Sequence, residues 1–250
     1  MIDCIIASYE TDAVAVRTAE LADVVDARVI LQATSTFNGR EPVDVLYEST
    51  WDGVTVVLAD LPDGLDPKQS EHWLRDQSLI QARAMYGDDH LFLVADGDEI
   101  PHPDAIRWAR AARVPAVLNT DYREWWMDWR APDTWQLVHQ PVIGSAADYD
   151  RAGGAQAART SRLGGATVAP GRGWHLSTLG DAALAARKLS TFSHDEFSGP
   201  EHNDLGKLAI YRDRGRDLLD RFDLIPTADL PACAPAFPEL LSPAFREELD

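Results

Sequence analysis

The sequence predicts an α/β fold with a mostly parallel central sheet flanked by helices. Three observations point there. Over the first hundred residues, short apolar runs alternate with helix-period segments, the pattern of βαβ units. At 250 residues and 45% hydrophobic content, the chain can fill the core of one sizeable α/β domain. And the apolar run Leu91-Phe92-Leu93-Val94-Ala95 ends abruptly in Asp96-Gly97-Asp98-Glu99, followed by Ile100-Pro101. That is how a strand ends at the ligand-binding edge of an open α/β sheet.

Residues 2–7 read as the first strand and 12–25 as an amphipathic helix with Val14, Leu21, Val24 and Val25 inward. Residues 28–33 and 54–59 are the second and third strands. The spacing predicts a helix over 70–86, with Ser70 as N-cap and Trp73, Leu74 and Ile80 toward the sheet. Residues 90–95 present the acids at an exposed strand end. Pro103 suits the first turn of a helix reaching Arg113, and 115–120 forms one more strand. The second half is less regular. Residues 151–165 read as a weak helix plus a loop, and 171–177 as a glycine turn entering a strand. Helices follow over 181–189 and 203–214. From Pro226 the chain is rich in proline and alanine, a tail rather than a further domain.

Lys plus Arg number 23 against 41 Asp plus Glu, a net charge of −18. Such acidity opposes binding to nucleic acid, where affinity comes from cationic side chains, and opposes docking on an anionic membrane. No stretch approaches the ~20 apolar residues of a membrane span. The first residues lack a basic n-region, and two cysteines, Cys4 and Cys233, make no disulfide framework. A reduced, cytoplasmic protein is the expectation.

Three carboxylates converging at a strand end repel one another unless a cation lies between them. Hard oxygen ligands spaced Asp-x-Asp suit Mg²⁺ or Mn²⁺ completed by substrate phosphates. A solvated acidic turn is the bland alternative. Ser193-His194-Asp195-Glu196 supplies a histidine and two acids, which read either as metal or proton-transfer groups or as a helix cap with a charge cluster. Five of the eight tryptophans lie between Trp108 and Trp135. Tyr122, Trp125, Trp126 and Trp129 could stack on a sugar, but aromatics so spaced are more often core, which leaves one or two for a cleft. Walker A, G-x-S-x-G, H-E-x-x-H and G-x-G-x-x-G patterns are absent.

Taken together, these segments resemble glycosyltransferase family 17, the family of the bisecting β-1,4-mannosyl-glycoprotein N-acetylglucosaminyltransferase. The opening helix resembles the family's at Arg17, Glu20, Leu21 and Val25-Asp26, and Thr34-Ser35-Thr36-Phe37-Asn38-Gly39 its threonine–aromatic–glycine turn. Asp96-Gly97-Asp98-Glu99-Ile100-Pro101 is similar to its acidic signature. Gly173-Trp174-His175-Leu176-Ser177, Lys188-Leu189, Phe192-Ser193-His194 and Glu196 are similar to its C-terminal signature, and Gly215-Arg216-Asp217-Leu218 to a further element. Gln32, Leu74, Ser78 and the turn at 178–181 depart from the family pattern near the expected donor and acceptor pocket.

The resemblance implies a GT-A-type nucleotide-sugar-binding fold. It implies one domain over 1–250, with a donor half at 1–120, an acceptor-side half at 121–225 and a proline-rich tail at 226–250. The implied reaction is metal-dependent and inverting. It moves a hexose or N-acetylhexosamine, foremost N-acetylglucosamine, from a nucleoside diphosphate sugar, foremost a UDP-sugar, to an acceptor hydroxyl on a glycan or protein. Asp96, Asp98 and His194 are the implied ligands of Mn²⁺ or Mg²⁺. Glu10, Arg17, Gln32, Thr34, Asp96, Trp174 and His175 are the implied donor-binding residues, with an ion pair at the sheet edge as the alternative for Arg17. Glu196 leads as catalytic base, before Asp181 and Glu99. A carbohydrate-binding protein without catalysis and a metal-dependent phosphohydrolase are the competing functions.

Overall fold

The computed structural model describes residues 1–38, 41–44, 53–135 and 140–249. It is α/β, with a seven-stranded and a five-stranded sheet. The first strand, β1 (Ile2–Ile6), is buried throughout and leads into α1 (Thr11–Glu20). Strands β2 (Ala27–Ala33) and β3 (Val54–Ala59) follow, then the long helix α2 (Pro67–Tyr86). Next come β4 (Leu91–Asp96), the short β5 (Glu99–Ile100) and α3 (Pro103–Ala112). The middle of the chain holds β6 (Ala116–Val117), β7 (Thr120–Trp125), β8 (Trp129–Arg130) and β9 (Val142–Ser145). After these come α4 (Ala146–Ala152), α5 (Ala155–Gly165) and β10 (Thr167–Val168). The last part contains β11 (Gly173–Leu179), α6 (Ala182–Thr191), α7 (Leu205–Asp213), β12 (Ile225–Pro226) and α8 (Pro243–Leu249).

The larger sheet runs β10-β6-β9-β4-β1-β2-β3. It is parallel except at β9, which runs antiparallel to both β4 and β6. The smaller sheet runs β12-β8-β7-β11-β5, with β7 and β11 parallel. One core lies where Leu93 and Ile143 meet Ile106, Leu176 and Leu241, and a second packs Phe92 and Val94 against Tyr149 and Ala158. Residues beyond β12 join the first core, with Ala234, Leu240 and Leu241 buried. Asp3, inside β1, is held by Arg17 and Arg28, so its charge is paired as a buried charge must be.

The structure corrects several expectations. Helix α2 begins at Pro67 rather than at Ser70. Asp66 is its N-cap, sharing a reciprocal capping box with Gln69, and Pro67 fits the first turn, where no N–H is needed. Ser70 is buried within the helix, and Ile80 faces solvent at 50% exposure. The strand foreseen over 115–120 splits between the sheets, Ala116–Val117 joining the larger and Thr120–Trp125 the smaller. The segment 151–165 holds the end of one helix and the whole of another, parted by Gly153 and Gly154, whose φ of 92° and 119° favour glycine. Trp125 and Trp126 are core residues, packed against α6 and α7. Gly39, from the threonine–aromatic–glycine turn, lies outside the described residues.

The topology places the acids. Strands β1 and β4 pair in parallel with Ile6 opposite Asp96, so both end at one level. The Gly97 N–H donates to the Ile6 carbonyl at 2.8 Å, and a Cβ on Gly97 would lie 2.9 Å from Val14 and 3.1 Å from Ala7. Only glycine lets the acidic turn lie this close to β1. Strand β5 then pairs with β11, setting His175 opposite Glu99.

Candidate active site

At the carboxyl edge of β1 and β4 lies a cleft of about 330 Å³. The turn after β1 contributes Glu10, the acidic turn Asp96 and Asp98, β11 His175 and Ser177, and α6 Lys188. Tyr122, Trp135, His194 and Arg221 close the far side. Polar groups converging in a pocket of this size, at this edge of the sheet, mark the active-site candidate.

Each signature carboxylate is met by protein cations. Asp96 Oδ1 accepts from Arg75 Nη2 at 2.8 Å and from Arg159 Nη1 at 3.0 Å. The same Arg159 donates to Glu99 Oε1 at 2.7 Å, while Glu99 Oε2 accepts from the Asp96 N–H. Asp98 Oδ2 lies 3.1 Å from Lys188 Nζ and 3.5 Å from His175 Nε2. Lys188 also donates to the Ser177 carbonyl, and the Leu176 N–H donates to the Asp98 carbonyl at 2.7 Å. Asp98 is 6% exposed, so the expected exposed strand end is in fact a buried ion pair.

The electrostatics follow from burial and pairing. Burial pushes the Asp98 carboxyl up, but Lys188 and His175 outweigh it and hold the group well below the usual carboxylate range. Burial depresses His175 and Lys188, yet Asp98 lifts both above their ordinary values. Glu10 and Glu99 are raised by burial, partly offset by Lys188 and by Arg159 respectively.

Other expected site residues fall elsewhere. The Arg17 guanidinium is fully buried and binds Asp3 and the Glu99 carbonyl, which is the ion-pair alternative. Trp174 is 2% exposed and donates to the Asp229 carbonyl inside the core. Gln32 donates to the Asp44 carbonyl at 2.6 Å, and Thr34 to Asp60 at 2.6 Å. These four do not line the cleft, because each is taken up by the framework beneath or beside it. Asp181 caps α6 by accepting from Ala183 and Leu184 N–H. His194 lines the cleft but pairs through Nδ1 with Glu196 Oε1 at 2.8 Å, and Glu196 is 60% exposed at the lip.

Among the described residues no group of three or more His, Cys, Asp or Glu side chains is arranged to hold a metal. Mg²⁺-type sites commonly use one or two carboxylates plus substrate phosphates, and Asp98 and His175 are the carboxylate and imidazole that meet at this cleft.

Sequence reading gave no role to Lys188 or to Glu124. Lys188 stands in the C-terminal signature, and only the fold brings it to Asp98. Glu124 is wholly buried in β7, accepting from Tyr122 Oη at 2.7 Å and from the Leu218 N–H at 2.9 Å. Burial raises it to about 7, while these two hydrogen bonds act in the opposite direction. Flanking aromatic residues disguise such a group as an ordinary strand position.

The chain is thus an α/β protein with a polar cleft at the carboxyl edge of its larger sheet. The family model of glycosyltransferase family 17 matches residues 1–220 of the 250. The chain belongs to that family and is a glycosyltransferase. No curated protein sequence matches it. No helix among the described residues is long and apolar enough to cross a membrane.

Proposed function

We propose that the enzyme moves a hexose or N-acetylhexosamine, N-acetylglucosamine first among them, from a nucleoside diphosphate sugar to an acceptor hydroxyl with inversion. UDP is the nucleotide we favour. The observation that carries this reading is the grouping of Asp98, Lys188 and His175 at the carboxyl edge of β4, in the cleft of about 330 Å³. The cleft carries Glu10, Glu71, Asp96 and Asp98 against Lys188 and Arg221. A diphosphate enters so acidic a cleft most readily with a cation of its own. Asp98 and His175 would hold Mn²⁺ or Mg²⁺ brought in this way, and the ion would supply Lewis-acid stabilisation of the leaving diphosphate.

The protein's own contribution is positional and electrostatic. Lys188, fixed by Asp98 and Ser177, presents a cation where charge develops on the leaving group. Inversion requires a base opposite that group. We assign it to Tyr122 backed by Glu124, in preference to the exposed Glu196, the helix-capping Asp181 and the Arg159-bound Glu99. The acceptor hydroxyl gives its proton to the Tyr122 oxygen as the phenol proton passes to the Glu124 carboxylate. The free thiols of Cys4 and Cys233 support a reducing, cytoplasmic setting.

Thermal denaturation with Mn²⁺ and a panel of UDP- and GDP-sugars tests this reading. A shift that needs metal and one sugar nucleotide together is expected; by mass action it reaches about 3 kcal/mol at a hundredfold excess over Kd. A shift with free glycans but with no donor overturns it.

A further inference from the structure

A second cavity, of about 240 Å³, opens beside the donor cleft and shares Tyr122 and Trp135 with it. Its remaining walls are polar apart from Val168, built by Asn119, Asp121, Gln140, Arg162 and Arg172 among others. Gln140 is buried, and its Oε1 is pinned by the Thr120 N–H at 2.8 Å and by Thr120 Oγ1 at 3.0 Å. A preformed polar pocket at the seam of a donor cleft has the position and chemistry of an acceptor subsite.

Two observations say what it holds. First, its sign is opposite to that of the cleft: Arg162 and Arg172 face a single acid, Asp121, in a chain of net charge −18. Arg172 is paired with Asp121, whereas the exposed Arg162 has no ion pair or hydrogen bond among the described residues and is open to an incoming anion. Second, Arg162 sits in a left-handed stretch with φ of 50°, followed by Leu163 at 49°. Strain of this kind in non-glycine residues collects at functional sites and here carries the arginine out of the helical path to the cavity.

We propose that this cavity is the acceptor subsite and that it takes a sugar bearing an anionic group, a carboxylate or a phosphate, held by Arg162. The guanidinium fork matches both groups in geometry. The reacting hydroxyl lies toward Tyr122 at the seam. The inference rests on the transferase reading and adds the acceptor's chemical class to it.

Calorimetric titration of the full chain, held with UDP and Mn²⁺, tests it. The probes are methyl β-glucoside, methyl β-glucuronide, methyl glucoside 6-phosphate and inorganic phosphate. At least one anionic glycoside binds about tenfold more tightly than the neutral one, and the two anionic arms show which group is preferred. That preference collapses in Arg162→Gln and survives in part in Arg162→Lys, which keeps the charge but not the fork. Equal binding of neutral and anionic glycosides, binding of inorganic phosphate as tight as that of the phosphosugar, no binding of any probe, or an unchanged preference in Arg162→Gln overturns the subsite. UDP release from the sugar nucleotide by the wild-type protein is followed in parallel. Its absence overturns the transferase reading itself, whereas unselective acceptor binding leaves that reading standing.

Discussion

Asp98 and Glu124 show two ways in which a buried carboxylate is put to use. Asp98 is ionised by its partners, Lys188 and His175, so removing its charge leaves an ammonium uncompensated in a nearly closed site. Asp98→Ala therefore costs about 3 kcal/mol or more of stability and confounds any kinetic test. Asp98→Asn keeps the volume and some hydrogen bonding and is the cleaner variant. Glu124 is the reverse case. Its folded value of about 7 lies above the ordinary glutamate value, so the folded state holds a proton that the unfolded state releases. That contribution is complete below the unfolded value near 4.5 and is lost as pH rises toward 7, a change on the order of 3 kcal/mol. Over the same interval the carboxylate becomes available to take a proton, so sugar transfer rises as stability falls. Glu124→Gln should flatten both curves, in denaturant titrations and in the pH dependence of kcat/KM. Retention of the wild-type activity limb near pH 7 in this variant would remove Glu124 from the proton path.

Secondary elements place these residues, and two are open to direct test. The capping box at Asp66 satisfies the first N–H groups of α2, so Asp66→Ala should cost about 1 kcal/mol in denaturant midpoint with kcat unchanged. Gly173 begins β11 where a Cβ would lie 2.0 Å from the Ile100 carbonyl oxygen. Gly173→Ala must push β11 from β5, with a stability loss of about 1–3 kcal/mol and a larger fall in activity, because His175 follows two residues later. The elements of the first hundred residues were largely legible, because β1, β2 and β4 are mostly apolar runs, with Asp3, Arg28 and Gln32 as the polar exceptions in the first two, and α1 carries a 3.6-residue period. The start of α2 was not, because two plausible caps, Asp66 and Ser70, lie one turn apart. The break between Ala116–Val117 and Thr120–Trp125 was also hidden. An extended segment that changes sheets keeps its strand composition, and only tertiary pairing shows the switch. In the site, Asp96, Asp98 and His175 could be read from an acid-ended strand and a family signature. Lys188 and Glu124 could not. Their positions come from a helix side chain reaching the acidic turn and from complete desolvation, neither of which has a local pattern.

At the scale of the whole molecule, two sheets meet at one edge and the chain after β12 locks them together. Met127 N–H donates to the Leu240 carbonyl, and Ser242 donates to Asp128, so the last residues brace the strands that carry Tyr122 and Glu124. Deletion of residues 227–250 should expose the core around Ala234 and Leu241, seen as dye binding and a lowered Tm. The same edge holds an acidic cleft and a basic-leaning polar cavity, which under the proposed assignment would separate donor from acceptor by charge as well as by shape. All of this depends on the acidic edge being the place where a sugar nucleotide is turned over. Release of nucleoside diphosphate from a panel of sugar nucleotides with Mn²⁺, comparing wild type with a folded Asp98→Asn, measures that directly. The account predicts turnover of one donor by the wild type and a loss of about a hundredfold or more in the variant, as expected when about 3 kcal/mol of transition-state stabilisation is removed. Turnover of no donor by the wild type, or an undiminished rate in Asp98→Asn, would contradict it.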